Sequence, residues 1–205
     1  MDKADRSSEQ HTPTFQQALD LALQHHTAGR FAEAEDIYQK ILQIDPNEPS
    51  ALHLLGVISY QMGENNRAVD LFTQALNLKP NFAEAYCNQG LALQELGRLE
   101  DAVDSYNKAV TIKPDYAEAF NNLGLVFQEL RNLDEALDSY HKALAIKPNY
   151  ADAHNNLGSA LKDLGKLDEA VASYRKALAL RPDYADVHNN LGNASRQLGK
   201  LDDAV

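Results

Sequence analysis

Between residues 117 and 150 the apolar positions fall into two stripes. Phe120, Leu123 and Phe127 recur at three- and four-residue steps, which predicts one face of a helix, here helix A. Leu133, Ala136, Leu137, Tyr140, Ala143, Leu144 and Ile146 form the stripe of a second helix, B. Neither helix can bury its stripe alone, so the hairpin depends on neighbours stacked beside it. The sequence supplies them. Pro46, Pro80, Pro114, Pro148 and Pro182 stand 34 residues apart, and so do Gly56, Gly90, Gly124, Gly158 and Gly192. Ala34, Ala68, Ala102, Ala136, Ala170 and Ala204 keep the same step. Three residue types at one period mark a tandem repeat. Complete units run 15–48, 49–82, 83–116, 117–150 and 151–184, and a partial unit covers 185–205. The expected fold class is all-α, an α-solenoid of stacked hairpins.

The small residues have packing reasons. Gly124 on helix A and Ala136 on helix B let the two helices approach, and Ala143 does the same for the next helix A. A larger side chain there overpacks, at about 1–3 kcal/mol. Gly97, Gly165 and Gly199 stand where helix A must end on a left-handed residue. Arg131 holds that place in the fourth unit under strain, with Asn132 as the alternative. Pro148 and its equivalents stop helix B. Asn81 with Glu84, Asp115 with Glu118, and Asn149 with Asp152 have capping-box spacing at the start of helix A, as does Thr14 with Gln17. Acids such as Asp134 and Glu135 open helix B, and Lys79, Lys113, Lys147 and Arg181 close it, as its dipole favours.

These fixed positions resemble the tetratricopeptide repeat (TPR). Tyr86, Gly90, Ala102, Tyr106, Ala109 and Pro114 carry the likeness in the third unit, and Phe120, Leu123, Gly124, Ala136, Tyr140, Ala143 and Pro148 in the fourth. The first unit departs with Ala22 for glycine and Ile41 for alanine, and the third with Gln89 for leucine. His154 and His188 replace a large aromatic of helix A. The resemblance implies a right-handed superhelix whose concave face is lined by the A helices, binding of proteins or extended peptides there, and no catalysis by the repeats.

The sixth position of four successive units is asparagine: Asn88, Asn122, Asn156 and Asn190. At about 100° per residue each lies almost opposite the buried stripe, which places it toward the groove. A primary amide carries donors and an acceptor together, so such a row can bond a ligand's peptide backbone whatever its side chains. The alternative is that these amides bond the neighbouring repeat and shape the stack. The row, with the phrase NNLG at 121–124, 155–158 and 189–192, is similar to the TPR arm of O-linked N-acetylglucosamine transferases. A second functional reading follows: the substrate-recruiting arm of a longer glycosyltransferase of that type, whose catalytic domain this chain lacks. A basic carboxylate clamp for chaperone tails is not expected, because the second position holds Ser50, Glu84, Glu118, Asp152 and Asp186. Lys162 and Arg196 are too isolated to form one.

Composition narrows the alternatives. Thirty acidic residues against 19 basic give a net charge of −11, which argues against nucleic acid as the partner. One cysteine, Cys87, excludes a disulfide framework and a multi-thiolate zinc site. Cys87 has no histidine–acid arrangement around it in sequence, so a free thiol is expected rather than a nucleophile. His25 and His26 diverge by about 100° on a helix, and His154 and His188 lie a full repeat apart, so no metal site is expected. The glycines are too widely spaced for a phosphate loop, and no cofactor is implied. No apolar run of about 18 residues reads as a membrane span. The expected location is cytoplasmic. Residues 1–14 are polar and read as a disordered segment. Val205 falls inside the helix B pattern of the sixth unit with no polar cap after it. A fragment of a longer protein, with end-to-end self-association, is the expectation.

Overall fold

The computed structural model describes residues 14–202, and among them are eleven α-helices and no strand. The chain divides after Leu78 into two units. The first holds α1 (Phe15–Thr27), α2 (Phe31–Ile44), α3 (Pro49–Gln61) and α4 (Asn65–Leu78), each packed on the helix before it. Its core includes Ala22, Ala34, Tyr38, Ile41, Ala51, Leu55 and Ile58. Thr14 starts α1 with both halves of a capping box: its Oγ1 accepts from Gln17 N at 3.3 Å, and its own N–H donates to Gln17 Oε1 at 2.8 Å.

The second unit holds α5 (Ala83–Glu95), α6 (Leu99–Ile112), α7 (Ala117–Glu129), α8 (Leu133–Ile146), α9 (Ala151–Asp163), α10 (Leu167–Leu180) and α11 (Ala185–Asp202). Odd-numbered helices are A and even-numbered ones B. Each B packs on its own A and on the next one. Successive A helices also touch, α5 on α7, α7 on α9 and α9 on α11, with no such approach of B helices among the described residues. Within this unit the A helices therefore form the closer, inner layer.

The hairpins close on an aromatic ring. A Cβ added to Gly124 would lie 2.6 Å from Tyr140 Cε1, and one on Gly158 would lie 2.7 Å from Tyr174 Cε1. Gly56 meets Phe72 in the same way at 2.7 Å, and Gly90 meets Tyr106 at 2.8 Å. All four rings are fully buried. The glycine is thus required by the ring as much as by the helix spacing. The buried stripe of α7 centres on Ala119, Leu123 and Val126, whereas Phe120 and Phe127 are half-buried at its margins.

Each A-to-B turn passes through the left-handed region at Gly29, Gly63, Gly97, Arg131 and Gly165. The backbone bonds Arg98 N–Leu93 O, Asn132 N–Phe127 O and Lys166 N–Leu161 O, all 2.9 Å, are the six-to-one links of a Schellman turn. Arg131 takes the strained conformation itself, at φ 64°, and Asn132 does not substitute for it. Gly199 does not end its helix. It lies inside α11, where no described helix B packs back to stabilise a turn. The expected helix B at the end of the chain is absent up to residue 202; Ala204, Val205 and residues 1–13 lie outside the described residues.

Three expected capping boxes do not form. The residues before α5, α7 and α9 are Phe82, Tyr116 and Tyr150, with no side-chain cap. The acids instead reach the cations that end helix B of the same hairpin: Glu118 with Lys147 at 2.8 Å, Glu84 with Lys113 at 3.4 Å, and Asp152 with Arg181 at 3.1 Å. A second charge offers a carboxylate more than one backbone N–H does. The same cations sit over the next rings, Lys113 on Tyr116 and Lys147 on Tyr150 at 4.5 Å, and Arg181 on Tyr184 at 4.4 Å.

Candidate functional site

The inner layer of the second unit carries a continuous row of amides. Asn190 Nδ2 donates to Asn155 Oδ1 at 3.1 Å, and Asn155 Nδ2 donates to Asn156 Oδ1 at 3.4 Å. Asn156 Nδ2 donates to Asn121 Oδ1 at 3.0 Å, and Asn121 Nδ2 donates to Asn122 Oδ1 at 3.4 Å. Asn122 in turn bonds Cys87. The row therefore crosses α11, α9, α7 and α5. It uses two positions per repeat, the sixth and the fifth, and the fifth (Asn121, Asn155) went unassigned in the sequence. Its signal was a spacing of 35, from Asn121 to Asn156 and from Asn155 to Asn190.

The sixth-position asparagines Asn88, Asn122, Asn156 and Asn190 are all half-buried. Asn121, by contrast, is 4% exposed and spent on the stack. In the bonds above, Asn156 and Asn190 each use one amide N–H within the row, and Asn122, whose Oδ1 accepts from Asn121, has one N–H toward Cys87. A primary amide has two N–H donors, so a second remains on each.

A parallel set of rungs runs along the other end of the A helices. Gln94 donates to Glu129, and Gln128 Nε2 donates to Asp163 Oδ2 at 3.0 Å. The spacing is again 35. The Tyr140 hydroxyl donates to Gln128 Oε1 at 3.1 Å, which ties this rung to the buried ring. Between α7 and α9 the inner layer opens into a groove of about 450 Å3 lined by Leu125, Gln128, Arg131, Asn156, Ser159 and Asp163. With Glu129 also in the lining, amides, carboxylates, a hydroxyl and one guanidinium thus surround the single apolar side chain of Leu125.

The remaining polar candidates are accounted for by packing. Burial pushes the Cys87 thiol up to about 11, against opposing hydrogen bonds from Tyr116 and Asn122. A thiol that stays protonated at neutral pH is a poor nucleophile. His154 is 8% exposed, and its Nε2–H donates to the Pro148 carbonyl at 3.0 Å. Burial lowers its pKa, against that bond. Among the described residues no three His, Cys, Asp or Glu side chains are grouped to hold a metal ion, and no helix is long and apolar enough to cross a membrane.

Residues 58–97, 90–130 and 158–199 match a family model of the TPR repeat. The spans 15–58, 117–150 and 139–172 match further models of the tetratricopeptide repeat. The chain belongs to the tetratricopeptide repeat family. Among solved structures this TPR protein is 32% identical to MamA, with a TM-score of 0.74 over 82% of this chain and 98% of that one. It is 27% identical to TTC0263, a thermophilic TPR protein in Thermus thermophilus, with a TM-score of 0.69 over 88% and 98%. YrrB, described as a TPR protein with an unusual peptide-binding site, shares the fold at 22% identity, with a TM-score of 0.71 over 84% and 89%. No curated protein matches the chain.

Proposed function

We propose that this TPR protein is a non-catalytic interaction module, and that an extended polypeptide lies along the inner layer of the A helices α5, α7, α9 and α11. The observation that carries the reading is the asparagine row. Asn122, Asn156 and Asn190 sit one repeat apart, held in register by the bonds to Asn121 and Asn155, each with an N–H beyond those the stack uses. Side chains already locked by neighbours lose little freedom when a ligand arrives. Main-chain groups of an extended peptide recur every two residues on one side, so a row of fixed amides can meet them with little regard to sequence. Asn88 is assigned to the same row by its register on α5. The solved structure of YrrB, whose description names a peptide-binding site, supports the class of ligand.

The test is a titration with a proteome-derived peptide library. Alanine at Asn88, Asn122, Asn156 and Asn190 together is expected to weaken peptide binding by about tenfold or more while the helical signal persists. Alanine at Asn121 and Asn155 keeps the four amides but removes the bonds that lock them, and is expected to weaken peptide binding less than the fourfold variant does. Peptide affinity unchanged in the fourfold variant, with the fold intact, would refute the assignment.

A further inference from the structure

Helices α1 and α2 leave a groove of about 460 Å3 lined by Phe15, Ala18, Leu21, Ile37, Ile41 and Ile44, with Lys40 at its edge. The later hairpins show what fills this register. Steps of 34 residues carry Ala18 to Leu52, Tyr86, Phe120 and His154, and Lys40 to Gln74, Lys108, Lys142 and Lys176. In α5–α6 the Tyr86 ring occupies the slot, with Lys108 Nζ 5.5 Å from its centroid. In α7–α8 the Phe120 ring does so, with Lys142 Nζ at 5.9 Å. In α1–α2 the ring is replaced by a methyl group, and Lys40 pairs instead with Asp36 at 2.6 Å.

Among the described residues no helix covers this groove in the way that one covers its counterparts. Leu21 is 44% exposed, whereas the equivalent Leu55, Leu123 and Leu157 are 4%, 4% and 6% exposed. Tyr38 and Ile41 of the preceding helix B share a core with Leu55, and Leu137 and Tyr140 share one with Leu157. The groove thus continues, one step earlier, the interface that joins a hairpin to the helix before it. A repeat that closed a stack in water would turn a polar face outward. This one presents Phe15, Leu21 and Ile44, the last 87% exposed.

We propose that the groove is a docking site for an amphipathic helix of another protein, which covers Leu21 and Ile44 and seats a Phe or Tyr ring on Ala18 beside Lys40. The ring completes the arrangement that Tyr86 and Phe120 make with Lys108 and Lys142. Lys40 gives up only an exposed pair with Asp36, which is worth little, and gains a cation–π contact.

The test uses the full chain and two acetylated amphipathic peptides of about 15 residues, long enough to be helical. They are built from leucine, alanine, glutamate and lysine, and differ by one Phe→Ala in the apolar face. Calorimetry is expected to show the Phe peptide binding about tenfold tighter or more, the effect of burying one ring. Ala18→Phe fills the slot from inside and is expected to weaken that peptide by about tenfold without lowering the thermal midpoint. Ile44→Lys, at a position with almost no contacts to lose, is expected to do the same. Equal affinity of the two peptides, or full affinity in both variants, overturns the proposal. A dimer in light scattering that Ile44→Lys returns to monomer also overturns it, assigning the groove to a second copy of the chain.

Discussion

In the α7–α8 hairpin, Gly124 faces the Tyr140 ring so closely that a Cβ would stand 2.6 Å from Cε1. In α1–α2 the same register holds Ala22, fully buried beside an equally buried Tyr38. The turn differs as well: Gly29 takes φ 73° in the first hairpin, and Arg131 takes φ 64° in the other. One backbone plan therefore tolerates two finishes, provided that the left-handed turn is kept and the space between helix A and the ring matches the small residue that faces it. The contrast predicts that swapping residues between the hairpins harms in both directions at the ring and in opposite directions at the turn.

The largest effect is expected at the ring. Gly124→Ala forces a methyl group into Tyr140 and costs about 1–3 kcal/mol, although alanine is the better helix former. Ala22→Gly loses that propensity without relieving any clash and costs about 1 kcal/mol. Urea midpoints of the two variants measure both, and a stabilised Gly124→Ala would break the packing account. The turn comes next. Arg131→Gly removes the left-handed strain of a side chain and gains about 1 kcal/mol, whereas Gly29→Arg, with open space around its Cβ, loses a similar amount for backbone reasons alone. A smaller effect is expected at His154, which stands where Phe120 stands in the α7–α8 hairpin. Burial lowers its pKa below the usual value of about 6.5, so the unfolded chain takes up the proton first. The stability it contributes is full above about pH 6.5 and is lost as the pH falls through the folded-state value. His154→Phe should flatten that part of the profile between pH 7.5 and pH 5, read as urea midpoints.

The hairpins were legible because their determinants are local: stripes at helical spacing, glycine at the turns and opposite the rings, and Thr14 with Gln17 at the first cap. Gly124 was read as a close approach, but the ring that demands it lies 16 residues away. The expected caps failed for a different reason. Glu118 has Asp115 three residues behind it and a lysine 29 residues ahead, and only the fold shows that Lys147 lies within reach. The amide row escaped in part because a reading at period 34 pairs Asn122 with Asn156, whereas the bond runs from Asn156 to Asn121 at 35. Neighbouring A helices are offset by one residue, an offset that no repeat alignment contains. The vacancy at Ala18 was visible as a letter, and its meaning came from the rings that Lys108 and Lys142 cover in later hairpins.

The most direct measurement is of the side-chain amide resonances of Asn122, Asn156 and Asn190 by NMR as a bound peptide from the library is titrated in. Saturable shifts at these three amides, larger than those of Asn107 and Asn149 on helix B and the inter-hairpin loop, are the predicted result. Shifts confined to helix B residues, with the asparagine row unmoved at saturation, would contradict the assignment of the inner layer as the binding face.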